Sequence, residues 1–304
     1  PYKIRLEDTG SNLFGFTESQ RNTTRIAVHR NFKGFPPNND PDGDEIGALK
    51  VTIAHEIKHA IQFVANRWRG ESANWLEMDA VLMEEVVFYT VDDYLNTITS
   101  SSSLLRNPQR SLYPGSYEDA SFALYFQQKW GDQFWVDVWD DISANNSSLP
   151  EAMRRALQVG GRDATFREEF TETYFWHLLT GNRSLPSFGF EDRSSFPDMN
   201  IYDTFTKDEG LITGRKTITN LAAHVFTMEP TDVGDDPLFI ALFASDTTTN
   251  IGWMAAENEF QELLTRPGST GNQFIKTDFR YGIDSGNLFS VVVSNSNPVQ
   301  AANY

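Results

Sequence analysis

The chain has 304 residues, of which 39% are hydrophobic and 13% aromatic, so a disordered polypeptide is excluded and two domains are expected. The formal net charge of −17, from 42 acidic and 25 basic residues, argues against nucleic acid as a partner. No apolar stretch reaches the roughly 18 residues that a membrane span requires, and the absence of cysteine excludes disulfides and thiolate metal ligands.

The first 209 residues are predicted to form a mainly helical domain. Residues 1–35 combine irregular segments with short strands such as 24–28, and a loop rich in turn-forming residues follows at 34–44. Apolar residues at helical spacing then predict a series of helices, which cover residues 47–63, 74–98, 117–130, 134–142, 150–159 and 164–179.

From about residue 210 the pattern changes to a period of two with β-branched and aromatic runs. These runs predict strands, of which the clearest are 222–228, 238–244, 273–278 and 288–293. Short strands separated by Gly, Asn, Asp and Pro are typical of an antiparallel β-sandwich-like unit. We therefore expect an α+β chain, with a helical domain at 1–209 and a β-sandwich-like accessory domain at 210–304.

The predicted helix at 47–63 carries His55-Glu56-Ile57-Lys58-His59, which matches H-E-x-x-H. Positions i and i+4 share one helix face, so both imidazoles can reach one Zn²⁺ ion. Glu56 lies beside that face, where its carboxylate can take a proton from a water molecule next to the metal. The alternative is a surface helix with two chance histidines. The apolar flanks argue against it, because a mostly buried helix would not carry these side chains without partners.

A catalytic zinc site requires a third protein ligand and one open position. The extended metzincin pattern would place Gly at position 62 and His at position 65, whereas this chain has Gln62 and Ala65. The remaining histidines, His29, His177 and His224, have no useful spacing relative to the motif. An acidic residue of the next predicted helix is therefore the expected third ligand.

Glu77 is our candidate for that ligand, eighteen residues after the second motif histidine. If Asn74 caps this helix, Glu77 would instead complete a pattern similar to a capping box. Glu84 lies seven residues further on nearly the same face, so it is the runner-up, or an acceptor for the N–H of a ligating histidine. Asp79 points about 200° away from Glu77 on the helix and is expected to be solvated.

At this point the chain resembles the gluzincins, zinc peptidases that combine H-E-x-x-H with a downstream Glu on the next helix. Trp75-Leu76-Glu77 is similar to the W-L-x-E stretch of that group. Residues 45–130 also resemble secreted bacterial neutral zinc metallopeptidases. The resemblance implies a zincin-like fold for the helical domain, with zinc held by His55, His59 and Glu77.

The segment Ser116-Tyr117-Glu118-Asp119-Ala120-Ser121 is similar to the Y-E-x-G segment of gluzincin aminopeptidases, with Ala in place of Gly. In that family the tyrosine donates to the oxyanion of the tetrahedral intermediate. The resemblance implies this catalytic role for Tyr117; the alternative is a tyrosine packed in an aromatic helix. The G-x-M-E-N strand of the aminopeptidases is missing, so an endopeptidase is expected.

A second metal site is suggested by Asp40, Asp42 and Asp44, which alternate in the loop before the motif helix. Hard oxygen ligands in such a loop suit Ca²⁺. The loop is not an EF-hand, because Glu45 and Val51 stand where that template requires Gly and Glu. A solvated acidic turn is an equally good interpretation.

Together these features predict a secreted, zinc-dependent metalloendopeptidase that acts on polypeptides, with Glu56 and Tyr117 as its catalytic residues. One alternative is a non-catalytic binding or adhesion protein on a peptidase scaffold. Glu56 argues against it, since a purely structural zinc site has no use for that carboxylate. A zinc hydrolase with a non-peptide substrate is the other alternative. The oligomeric state is not predicted.

Overall fold

The computed structural model describes residues 2–10, 12–205, 216–228, 238–243, 248–256, 260–266, 272–277, 288–300 and 302–303. The chain packs as two compact units, Pro1–Ser103 with Pro114–Arg162 and Leu104–Tyr113 with Asp163–Tyr304. Seven α-helices and two mixed sheets lie in the described part, which confirms the predicted α+β class. None of the described helices combines the length and the apolar character that crossing a membrane requires.

The first unit contains a small sheet and most of the helices. Its strands are β1 (Ile4–Glu7), β2 (Gly15–Gln20) and β3 (Thr23–His29), in the order β1-β3-β2. Strand β1 runs parallel to β3, and β2 runs antiparallel to β3. The helices are α1 (Asp44–Asn66), α2 (Leu76–Val87), α3 (Leu95–Ile98), α4 (Ala120–Trp130), α5 (Asp132–Asn145) and α6 (Leu149–Val159). Two 3₁₀ turns complete it, at Gly70–Asn74 and Tyr117–Asp119.

Helix α1 carries the H-E-x-x-H motif, and its ends follow local rules. Asp44 and Glu45 occupy its first turn, where negative charge is favoured by the helix dipole. The helix ends where Arg67 adopts a left-handed conformation with φ of 61° and donates its N–H to the carbonyl of Phe63. The prediction of a helix over 47–63 is therefore confirmed, with extensions at both ends.

Helix α1 packs on the three-stranded sheet through a buried apolar cluster that includes Ile26, Val28 and Ala48. The approach is close at Gly15 on β2. A Cβ atom there would lie 2.7 Å from Cγ2 of Thr52 and 3.2 Å from Cγ of Glu56, so glycine is required. The lack of a side chain at this position therefore allows β2 to lie close to the motif helix.

The prediction of a single helix over 74–98 is wrong. Helix α2 ends at Val87, and the chain becomes helical again only in the short α3. The segment between them contains aromatic and β-branched residues, which have low helix propensity. Phe88 leaves the helical region at φ of −131°, and Asp92 adopts a positive φ of 54°. The backbone N–H of Asn39 donates to the carbonyl of Val91 at 2.8 Å, a loop contact that replaces helical hydrogen bonding.

In its described residues the second unit combines helix α7 (Phe166–Leu178) with nine strands and a 3₁₀ turn at Gly181–Arg183. The strands are β4 (Asp203–Phe205), β5 (Thr217–Ile218), β6 (Ala222–Met228), β7 (Leu238–Phe243), β8 (Thr249–Ala256), β9 (Phe260–Arg266), β10 (Asn272–Thr277), β11 (Leu288–Asn295) and β12 (Ala302–Asn303). Five of them form a mixed sheet in the order β4-β6-β11-β8-β9, and the others pair as β7–β10 and β5–β12.

Helix α7 packs against the five-stranded sheet. Asn250 donates to Oγ1 of Thr171 at 2.7 Å, and that hydroxyl lies 2.8 Å from Oγ of Ser294. Gly252 lies under the helix, since a Cβ atom there would be 2.7 Å from the ring of Phe175. Residues 163–205, which the sequence assigned to the helical domain, lie in the same compact unit as these strands.

Candidate metal centre

Helices α1 and α2 bring three potential metal ligands together in the first unit. Nε2 of His55 lies 3.0 Å from Nε2 of His59, one helical turn away on α1. Oε2 of Glu77, in the first turn of α2, lies 3.1 Å from Nε2 of His55 and 3.3 Å from Nε2 of His59. The two histidines and the glutamate form a group that could hold a metal ion.

The spacing of these three atoms fits coordination of one small ion. Ligand atoms roughly 2.0–2.1 Å from a tetrahedral Zn²⁺ ion are separated by roughly 3.3 Å. The observed separations of 3.0, 3.1 and 3.3 Å are close to that value. Small movements of side chains would therefore be sufficient to admit an ion. The geometry alone does not distinguish zinc from other ions of similar size.

Glu84 lies behind His55 rather than among the three clustered atoms. Its Oε1 is 2.6 Å from Nδ1 of His55, and its side chain is only 11% exposed. A carboxylate at this position accepts a hydrogen bond from Nδ1–H. The lone pair of Nε2 then faces the cluster. From the sequence, Glu84 could be either a metal ligand or an acceptor for the N–H of a ligating histidine. Its contact with Nδ1 of His55 is that of an acceptor.

His59 has an outer partner that the sequence analysis did not identify. Nδ1 of His59 lies 2.8 Å from Oε1 of Gln62, which is fully buried one turn further along α1. The spacing of three residues on one helix could have indicated this pair.

Asp79 is fully buried, so the prediction that it is solvated was wrong. Its Oδ2 accepts from Nε2 of Gln62 at 2.8 Å and from Nε1 of Trp139 at 3.0 Å. Nζ of Lys58 lies 3.1 Å from the same oxygen. A helix wheel gives the direction of the side chain relative to Glu77, but it does not show that side chains of α1 and α5 cover Asp79 on that side.

Glu56 points toward strand β2. The hydroxyl of Thr17 lies 2.7 Å from Oε2 of Glu56 and 2.9 Å from its backbone carbonyl. Burial raises the pKa of Glu56, while His55 and the hydrogen bond from Thr17 act in the opposite direction. Thr17 was not predicted from the sequence, because its contact joins residues 39 positions apart.

Tyr117 lies beside the first histidine at the start of the 3₁₀ turn that precedes α4. Its ring is parallel to that of His55, with an interplanar angle of 3° and centroids 5.5 Å apart. Ser116 and Asp119 form a capping box that fixes this turn. Burial and the nearby carboxylate of Glu77 raise the pKa of Tyr117 above its usual range, so its hydroxyl stays protonated and can donate.

The charges of the group depend strongly on one another in the absence of metal. Burial lowers the pKa of His55, but the carboxylates of Glu77 and Glu84 outweigh it and raise the value to about 10. Burial also raises the pKa of Glu77, yet the two histidines hold it well below its usual range. Burial raises the pKa of Glu84 to about 7 despite its contact with His55.

In the acidic loop before α1, the aspartate carboxylates are paired with other groups rather than free. Nζ of Lys50 lies 2.8 Å from Oδ2 of Asp40 and 2.9 Å from Oδ2 of Asp42. Asp44 instead accepts from the backbone N–H of Asn38 at 3.1 Å. The hydrogen bond from Lys50 outweighs burial and lowers the pKa of Asp40. A calcium ion at this loop stays a prediction from the sequence, and Lys50 would have to move to admit it.

The chain matches no protein-family model, no curated protein and no solved structure. Interpretation of the site therefore depends on its own chemistry. One compact unit contains a partly buried His-His-Glu group, two outer acceptors on the histidines, a carboxylate next to the first histidine in the chain and a protonated phenol.

Proposed function

We propose that the chain is a zinc-dependent metalloendopeptidase of the gluzincin type, secreted and active on polypeptides. The observation that carries the proposal is the convergence of His55, His59 and Glu77. Glu56 lies on α1 next to His55. In this proposal the first unit is a zincin-like catalytic domain. The β-rich second unit is an accessory module of β-sandwich-like type.

Zinc is the ion that this donor set favours. Two imidazole nitrogens and one carboxylate oxygen form a common catalytic zinc site, with one position open for water or substrate. Mg²⁺ and Ca²⁺ prefer sites composed entirely of oxygen ligands. The hydrogen bonds from Nδ1 of His55 and of His59 to outer acceptors support the proposal, because they leave both Nε2 atoms available as ligands.

When bound, zinc would lower the pKa of a water molecule and polarise the carbonyl of the scissile peptide bond. Glu56 would take a proton from that water molecule, and the oxygen of the water would attack the carbonyl carbon. Tyr117 donates a hydrogen bond to the oxygen on which negative charge develops. The C–N bond then breaks, and Glu56 delivers the proton to the departing amine nitrogen. This sequence forms no covalent intermediate with the protein.

The Glu56→Gln variant tests the general-base assignment. The amide keeps the size of the side chain but can neither take nor return a proton, so we expect zinc to be retained and hydrolysis to fall by about 10²–10⁴-fold. Glu45→Gln is the matched control, because Glu45 is exposed in the first turn of the same helix. Turnover of casein or a peptide library is measured alongside bound zinc.

Two outcomes would contradict the proposal. Near wild-type turnover in Glu56→Gln would remove Glu56 from the mechanism. If the zinc-loaded wild-type chain cleaves no peptide, it is not a peptidase. Assays with ester and amide substrates would then separate a hydrolase of non-peptide substrates from a non-catalytic binding protein.

A further inference from the structure

The outer partner of His59 is the side-chain amide of Gln62. An amide by itself does not determine which ring nitrogen of His59 carries the proton. Gln62 presents Oε1 to Nδ1 of His59 at 2.8 Å. A glutamine side chain can rotate to offer either its oxygen or its NH₂ group in nearly the same place. With NH₂ facing His59, Nδ1 would be the acceptor, and the proton would move to Nε2. In that state His59 could not bind a metal ion through Nε2.

Two acceptors on the other side of Gln62 select the productive orientation. Nε2 of Gln62 lies 2.8 Å from Oδ2 of Asp79 and 3.0 Å from the backbone carbonyl of Leu76. The backbone carbonyl of Leu76 can only accept a hydrogen bond, and Oδ2 of Asp79 already accepts one from Trp139. The NH₂ group must therefore face them, and Oε1 must face His59. The donors are thus fixed: His59 donates its Nδ1–H to Gln62, and Gln62 donates its NH₂ group to Asp79.

Asp79 is held in place by other buried groups. Nζ of Lys58 lies 3.1 Å from Oδ2 of Asp79, and both side chains are buried. Nε1 of Trp139 donates to the same oxygen at 3.0 Å. These two donors hold Oδ2 of Asp79 beside Nε2 of Gln62. Lys58, one of the two variable positions of the motif, thereby supports the acceptor character of Asp79.

We propose that Asp79 is a positioning residue for the metal site, acting on His59 through Gln62. His55 obtains its orientation directly from Glu84, whereas His59 obtains it through an amide that a buried carboxylate orients. The inference rests on the proposed function in that it assumes a metal ion at this site. It adds Gln62 and Asp79 to the residues that determine metal affinity.

The test uses the full chain and compares Gln62→Leu, Gln62→Glu, Asp79→Asn and the control Gln127→Leu. Gln127 is the matched control because its amide also donates to a carboxylate, that of Asp132, at 2.9 Å. Zinc affinity is measured by chelator competition, the Co²⁺ visible spectrum reports ligand geometry, and the melting temperature of the metal-free protein reports folding.

We expect Gln62→Leu to weaken zinc binding by about 10–100-fold and to alter the Co²⁺ spectrum. Gln62→Glu should recover much of the affinity, because a carboxyl group that keeps its proton donates to Asp79 with one oxygen and accepts from Nδ1–H of His59 with the other. The zinc affinity of Asp79→Asn should fall between those of wild type and Gln62→Leu, since an amide oxygen is a weaker acceptor than a carboxylate for the NH₂ group of Gln62. Gln127→Leu should bind zinc as the wild type does.

Wild-type affinity in Gln62→Leu would overturn the inference. If Gln62→Leu loses affinity while Asp79→Asn does not, Asp79 has no positioning role. If Gln62→Glu binds as weakly as Gln62→Leu, the loss comes from packing rather than from the missing acceptor. Failure of the wild-type chain to bind zinc at all would instead contradict the proposed function, so the two failures are distinguishable.

Discussion

Nδ1 of His55 lies 2.6 Å from Oε1 of Glu84, and this contact joins α1 to α2 behind the metal-binding face. Glu77 meets the same imidazole from its other side, with Oε2 3.1 Å from Nε2. Both glutamates lie on one face of α2, yet they contact opposite edges of one ring. Their roles toward a metal ion must therefore differ.

Glu77→Ala and Glu84→Ala are expected to have unequal effects on zinc affinity. Loss of Glu77 removes a ligand and leaves two histidines, which cannot define a three-ligand site, so binding should largely disappear. Loss of Glu84 removes only the acceptor for His55, and we expect affinity to fall by about 10–100-fold. Chelator competition measures both variants. If Glu84→Ala loses the metal and Glu77→Ala retains it, the two roles must be exchanged.

Thr17→Val should reduce turnover without changing zinc binding. The hydroxyl of Thr17 lies 2.7 Å from Oε2 of Glu56, and valine has a similar shape but no donor. A hydrogen bond to a charged group contributes about 1.5 kcal/mol, which corresponds to roughly tenfold in rate. We expect kcat to fall and KM to stay near its wild-type value. Thr17→Ser should restore kcat, and the exposed Thr23→Val is the control; failure of serine to restore it would assign the loss to packing.

Tyr117→Phe should keep zinc and lose activity. The phenol is expected to donate to the developing oxyanion, and removal of one such donor costs about 10²–10³-fold in kcat. The matched control is Tyr89→Phe, because Tyr89 is 73% exposed. Activity of Tyr117→Phe equal to that of the wild type would indicate that the tyrosine only packs against His55.

Zinc binding should release about one proton at pH 7. The carboxylates of Glu77 and Glu84 raise the pKa of His55 to about 10 in the metal-free protein, so His55 is protonated below that pH. A ligating imidazole must be neutral, so zinc competes with this proton, and zinc affinity rises with pH until His55 deprotonates. Calorimetric titrations in two buffers of different ionisation enthalpy give the proton count. Zinc binding without proton release at pH 7 would contradict a charged His55.

Local sequence patterns predicted the elements that carry the proposed ligands. The spacing of His55 and His59 placed them on one face of α1, and the acidic pattern of the next helix identified both Glu77 and Glu84. Their separate contacts with His55 could not be predicted, because both lie on the same face of α2. Spacing along one helix does not determine which edge of the ring each carboxylate meets.

Contacts between segments that are far apart in the chain could not be predicted from the sequence. Thr17 meets Glu56 because Gly15 allows β2 to approach α1, and nothing in the local pattern near residue 17 indicates that approach. Asp79 was predicted to be solvated because a helix wheel shows only the directions of side chains on one helix. Its burial depends on Trp139, sixty residues later in the chain.

The most direct test of the metal site is an anomalous difference map recorded at the zinc absorption edge from crystals of the zinc-loaded chain. We expect a strong peak bounded by Nε2 of His55, Nε2 of His59 and a carboxylate oxygen of Glu77, at roughly 2.0–2.2 Å from each atom. Absence of a peak there, or a zinc peak only at other residues such as Asp40 and Asp42, would contradict the proposed metallopeptidase centre.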